Sequence, residues 1–268
     1  DFTSYFKQVE DDQFAVTGGY LGFLDGTFYL AGGHRFDGNY NPMGNPTYTQ
    51  TYTNAIRKFT INNQGSLTYS LVETISDDVH LHRRDYNFSP QIFPDGSEGF
   101  TMWAGVFQVN VDAPILYPID INASGYTPNT GFNQYLSNYH SAKATLFDAV
   151  SNEMYTVFFG GMSQYYYQND NLVEDAAVPF VRTISRMTRD TNGNLTEYLM
   201  PIEMPGLEGA SAEFIPNEQY NLGNEIIHLA PISANSFIIG YIVGGIQSTS
   251  LNPFSVNQTN QTSASPTI

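Results

Sequence analysis

The chain has 268 residues, with 26 acidic side chains against 10 basic ones, a formal charge of -16 and no cysteine. That balance excludes a nucleic-acid binder, which needs a basic footprint to displace phosphate counterions, and the missing thiols exclude a disulfide scaffold, a Cys₄ zinc module and a cysteine nucleophile. With 41% hydrophobic and 15% aromatic residues it is no disordered acidic chain, and no apolar run approaches the roughly 18 residues of a membrane helix.

In chain order, short apolar strands recur that end on paired glycines. The first is Phe28-Tyr29-Leu30-Ala31-Gly32-Gly33. A degraded copy follows at Phe100-Thr101-Met102-Trp103-Ala104-Gly105, and full copies at Val157-Phe158-Phe159-Gly160-Gly161 and Tyr241-Ile242-Val243-Gly244-Gly245. A shift of 128 residues, the separation of Gly33 and Gly161, also superposes Ile56 on Ile184, Thr60 on Thr188, Gly65 on Gly193 and Leu71 on Leu199. Such a period marks a repeat architecture.

Each repeat reads as four strands. An inner segment (89–93, 141–147 or 210–215) leads through a polar turn into the glycine-terminated strand. A loop of variable length follows, then a strand with one solvated face, 55–61 or 181–187. The turns Asn62-Asn63-Gln64-Gly65 and Asp190-Thr191-Asn192-Gly193 tolerate positive φ and reverse the chain into 67–71 or 195–199. No stretch carries capped 3.6-residue periodicity, so helix content is expected to be minimal. The expectation is an all-β chain of four-stranded antiparallel units over residues 1–254, with Gln13 to Thr17 as a candidate closing strand. Residues 255–268, uncharged and rich in Ser, Thr, Asn and Gln, read as a polar linker or terminal strap.

Four-stranded units repeated about four times, each second strand ending on a glycine pair, resemble the blades of a Kelch β-propeller. The resemblance spans roughly residues 18 to 250 and implies a propeller of about four to five blades, closed by itself or part of a larger one. The sequence departs from the family in spacing: from Gly33 the glycines recur after 72, 56 and 84 residues, against about 50 for Kelch repeats. The later Trp of the pattern is absent; the single Trp103 lies in a glycine-type strand. The resemblance further implies a secreted or cell-surface protein.

A propeller would bring the loops between strands two and three, and those between successive blades, to one face. Those loops hold His34 and Arg35, then His82, Arg83, Arg84 and Asp85, then His140, then Tyr165 and Tyr166. Arginine and histidine donors beside tyrosines suit an anionic or hydroxyl-rich ligand, so these nine residues are the candidate ligand site. No Gly-x-Ser-x-Gly elbow is present. The expected function is non-catalytic binding of a glycan or a protein. A carbohydrate-active enzyme (epimerase- or glycosidase-like) using carboxylates such as Asp85, Asp148 or Glu213 is one alternative. A subunit of a larger cell-envelope assembly is the other. No transition-metal site is expected; a structural calcium at Asp37-Gly38-Asn39-Tyr40-Asn41 is the one cofactor left open, although the acid that closes a calcium loop is missing at Tyr48.

Overall fold

The computed structural model describes residues 2–39, 47–221, 223–229, 232, 236–254 and 259–266. Among these the chain is all-β, and its only helices are 3-10 turns at Phe2–Tyr5, Asp12–Phe14 and Thr259–Gln261. Two compact units are formed, one of residues 1–85 with 107–112, the other of 86–106 with 113–268.

In the first unit β1 (Tyr20–Leu24) turns at Asp25-Gly26 into β2 (Thr27–Ala31). Both turn residues have positive φ, 48° and 79°, as a two-residue primed hairpin turn requires. After β2 the chain makes a separate hairpin, β3 (His34–Asn39) and β4 (Thr47–Tyr52), then returns as β5 (Ala55–Asn62) and β6 (Thr68–Ser76). The sheet order is β1-β2-β5-β6. One face buries Tyr29, Ala31 and Ile56, and Lys58 lies over the Tyr29 ring while pairing with Glu73 at 2.9 Å. Across the other face runs an aromatic row: Phe23 to Phe28 at 4.7 Å, Phe28 stacked on Phe59 at 5.4 Å, and Phe14 edge-on to Phe59 and Tyr69. The Gln13–Thr17 segment is not the expected strand. Asp11 accepts the Gln13 N–H at 2.9 Å and caps a 3-10 turn, leaving only a bridge from Thr17 to His34.

The second unit repeats the four-stranded meander twice. β7 (Asn87–Ile92), β8 (Glu98–Trp103), β9 (Ile119–Asn122) and β10 (Gly125–Pro128) are hydrogen-bonded in chain order. β11 (Ala142–Asp148) and β12 (Glu153–Phe159) are followed by a hairpin of β13 (Tyr165–Gln168) and β14 (Asn171–Glu174). β15 (Thr183–Arg189) and β16 (Leu195–Glu203) complete that sheet. Its core is Trp103, Phe158 and Met187, and the Trp103 indole N–H donates to Ser89 Oγ at 2.8 Å. Arg189, 5% exposed, joins the two sheets through a bidentate pair with Asp120 (2.6 and 2.9 Å) and lies over the Phe93 ring.

The remainder pairs differently. β17 (Leu207–Ala210) and β18 (Glu213–Pro216) are one segment interrupted at Ser211, where φ is +55°. β19 (Ile226–His228) leaves its neighbours and pairs parallel with β11, the single parallel pairing among the described strands. β20 (Gly240–Val243) pairs with β18, and β21 (Ile246–Ser248) with β17. β22 (Thr262–Ala264), inside the segment read as a linker or strap, adds to β21.

All four glycine-type junctions have the same backbone. Consecutive residues are left-handed at Gly32-Gly33 (φ 52° and 79°), Ala104-Gly105 (46° and 104°), Gly160-Gly161 (60° and 86°) and Gly244-Gly245 (70° and 81°). The degraded copy therefore keeps the geometry with Ala104 in a conformation that costs an L-residue about 1–2 kcal/mol. In three copies the second glycine donates its N–H to a carbonyl of the segment entering the next set of strands: Gly33 to Arg83 at 2.7 Å, Gly105 to Asn138 at 3.1 Å and Gly161 to Glu208 at 2.9 Å. A Cβ on Gly160 would run into the Glu208 carbonyl oxygen, whereas one on Gly96 (φ 82°) would meet open space. Gly160→Ala is therefore expected to lose clearly more stability than Gly96→Ala, whose cost is backbone strain of about 1–2 kcal/mol. Urea unfolding of the two variants tests this, and equal losses would refute the contact.

Candidate functional site

The first unit gathers four of the predicted residues around a side chain that the sequence reading did not select. Tyr52, at the end of β4, stacks on the His82 imidazole with ring centroids 3.8 Å apart and planes 18° from parallel. Its hydroxyl accepts from Arg84 Nε at 3.1 Å and from the Phe107 N–H at 3.2 Å. The Arg84 guanidinium lies 5.3 Å over the Phe107 ring and binds Asp85 at 2.8 Å. On the other side His34 is 5.9 Å from the Tyr52 ring, with its Nε2 3.3 Å from the Gln50 amide nitrogen.

Local backbone sets these positions. Tyr48, Gln50 and Tyr52 alternate with threonines along β4, and Gln50 and Tyr52 face the same side as His34 across the hairpin register. Asp85 is left-handed (φ 51°) and its N–H donates to Gly18 O at 2.8 Å. A Cβ on Gly18 would fall 2.8 Å from the Asp85 carboxylate, so this approach requires glycine.

Electrostatically the cluster is close to neutral. Burial pushes the His34 imidazole below its ordinary pKa, the Arg84 charge adds to that, and Asp85 opposes it. Burial also lowers His82, against the pull of Asp78, while the His82 Nδ1 donates to Asn54 Oδ1 at 2.9 Å. His34 is 3% exposed and its Nδ1 has no hydrogen-bond partner among the described residues. With both rings neutral and Arg84 balanced by Asp85, the cluster offers donors, acceptors and ring faces with little net charge.

The other candidates lie elsewhere. Arg83 is fully buried, donates from Nε to His80 O at 2.8 Å, and receives the Gly33 N–H on its own carbonyl, so it braces the junction. Arg35 points away from His34 on the alternating strand and pairs with Asp12 and Asp37. In the second unit His140 Nε2 lies 3.3 Å from Glu213. Tyr165 is edge-on to Tyr135 at 5.1 Å, its phenol pushed up by burial and then by Glu174. Tyr166 is half-buried on the same hairpin. Of the candidate carboxylates, Asp148 accepts the Val150 N–H within its own turn. In the calcium stretch the Asp37 carboxylate is held by Arg35, and Tyr40 and Asn41 lie outside the described residues. Among the described residues no group of three or more His, Asp or Glu side chains could hold a metal. A cavity of about 540 Å³ in the second unit, bordered by Met204, Glu208, Gly209 and Ile242, contains none of the nine candidates.

A half-buried carboxylate in the second unit carries no signal in the sequence. Glu197 on β16 accepts the N–H groups of Tyr135 (2.8 Å) and Leu136 (3.0 Å), pinning the loop that leads to His140. Burial raises its pKa to about 7 despite those two donors. No family model matches the chain, and no curated protein matches it.

The two kinds of group move stability in opposite directions. His34 and His82 are lowered on folding, so protonation destabilises the fold as pH drops below about 6.5. Glu197 is raised on folding, so its contribution is full below about pH 4.5 and is lost as pH climbs towards 7. Melting curves between pH 5 and 8 should show His34→Gln resisting acid better than the wild type. Glu197→Gln should lose less stability than the wild type between pH 5 and 7. Unchanged pH profiles in both variants would refute the assignment.

Proposed function

We propose that the chain is a Kelch-like β-propeller, secreted or exposed at the cell surface, that binds a glycan without transforming it. The propeller reading is supported by three four-stranded meanders bonded in chain order within each sheet, and by the left-handed junctions that recur after each second strand. The observation that carries the ligand reading is the Tyr52 cluster. Neutral imidazoles, a phenol and a charge-balanced guanidinium, none more than partly exposed, match sugar hydroxyls better than a bare anion, and the ring faces suit the apolar face of a pyranose. A chain of net charge -16 also disfavours an anionic ligand at long range.

The test begins with a glycan array spanning neutral and acidic oligosaccharides, followed by calorimetry on the hits. Arg84→Ala and His82→Gln are expected to weaken binding about tenfold or more, the equivalent of one lost charged hydrogen bond of about 1.5–3 kcal/mol. Arg35→Ala, outside the cluster, should leave affinity unchanged, and the bound glycan should be recovered intact. Conversion of the glycan, or full affinity in both cluster variants, would overturn the reading.

A further inference from the structure

The aromatic face of the sheet β1-β2-β5-β6 is half covered and half bare. Residues 7–14 form a strap over the β5–β6 half. Phe14 packs on Phe59 and Tyr69, and the Tyr69 hydroxyl donates to Asp11 at 2.7 Å. Lys7 Nζ donates to the Asn63 carbonyl and side-chain oxygens, and Arg57 donates to Gln13 O. Lys7, Val9 and Phe14 border a groove of about 330 Å³ with Phe59, Ile61 and Leu67. Among the described residues the β1–β2 half has no such cover. Leu21 and Phe23, on the same side of β1, are 52% and 59% exposed, and they continue through their cross-strand partners Leu30 and Phe28 into the aromatic row.

This surface departs from the rest of an acidic molecule. No carboxylate stands among Leu21, Phe23, Phe28, Leu30, Arg57 and Phe59, the residues aligned across β1, β2 and β5 on this side. Arg57 stands directly opposite Leu30 at the inner border of the bare half, and Asp25 lies in the turn at its far end. The strap carries the opposite chemistry: three consecutive acids, Glu10, Asp11 and Asp12, preceded by the exposed apolar side chains Tyr5, Phe6 and Val9. A raised acidic-apolar ridge thus lies beside a bare apolar shelf edged by a cation.

We propose that this face is a dimerisation surface whose occupant is a second copy of the chain, related by a two-fold axis that lies in the interface and runs parallel to the strands. Such an axis lays the strap of each copy on the shelf of the other. Tyr5, Phe6 and Val9 then cover Leu21 and Phe23, and Glu10 approaches Arg57 of the partner copy, Asp11 and Asp12 being held within their own chain by Tyr69 and Arg35. The interface is isologous, each contact occurring twice, so it closes on itself at two copies. Burial of exposed apolar area supplies the driving force, and the charge pairing sets the register.

Sedimentation velocity of the full chain at protein concentrations from about 1 to 100 μM tests the proposal. The expected species has twice the 29.8 kDa mass of the chain at the upper end of that range. Phe23→Asp is expected to weaken association at least tenfold, with circular dichroism and melting temperature retained because Phe23 is largely exposed. Ile202→Asp, at a more exposed apolar position on β16, should leave the dimer intact. Arg57→Glu should weaken the dimer, and combining it with Glu10→Arg should restore association. A wild type that stays monomeric at every concentration, or a dimer indifferent to Phe23→Asp, would overturn the proposal.

Discussion

The constraint on which the rest depends is the left-handed residue pair at the end of each second strand. It turns the second N–H away from its own sheet and onto a carbonyl of the segment entering the next set of strands, as Gly33, Gly105 and Gly161 all show. The same residue's carbonyl turns to the chain returning for its third strand, accepting from Thr53, Ile115 and Val181. One dipeptide therefore sets where the third strand starts and, within the second unit, where the next inner strand begins. The side-chain sites follow from this. Arg84 and Asp85 come directly after the hooked Arg83 carbonyl, and His34 directly after Gly33.

Polar groups between sheets of the second unit add specificity to that frame. The Gln91 amide donates to Thr156 Oγ1, Ser137 and Ser185 hydroxyls meet at 3.0 Å, and Asn87 holds Ser137, Tyr139 and Ser141 through their backbone. The Arg189–Asp120 pair is the costliest of these to break, since removing one partner leaves a buried charge. A core of Trp103, Phe158 and Met187 alone would tolerate sliding of one sheet over another; hydrogen bonds with fixed partners do not.

The elements were readable wherever local chemistry dictates them. Glycine pairs announce left-handed backbone, period-2 alternation announces 55–61, and Asn-Gly turns announce the reversal at Gly193. Trp103-Ala104-Gly105 was recognisable as a repeat because only one of its two glycines is replaced. The hairpin β3–β4 replaces the expected loop, and Tyr48, Gln50 and Tyr52 alternating with threonine carry its strand signal. Tyr52, the centre of the cluster, ends that hairpin. Arg35 and Arg83 neighbour His34 and Arg84 in sequence but lie outside the cluster. Strand alternation sends Arg35 away from His34, and burial commits Arg83 to a backbone carbonyl. Glu197 was illegible because its partners are main-chain N–H groups, which carry no residue identity.

The parallel pairing of β19 with β11 bears on the order in which the chain acquires its structure. Hairpins close between neighbours in sequence, but Thr145 must wait for Ile226, which follows the rest of its sheet and part of the next. Closing so long a loop has a large entropic cost that is recovered only once β11 is already fixed by β12. During synthesis β11 therefore emerges, pairs on one side, and presents an open edge until Ile226 to His228 have left the ribosome. Until β19 arrives, that edge keeps its backbone N–H and C=O groups unpaired, the kind of edge on which another chain can add a strand.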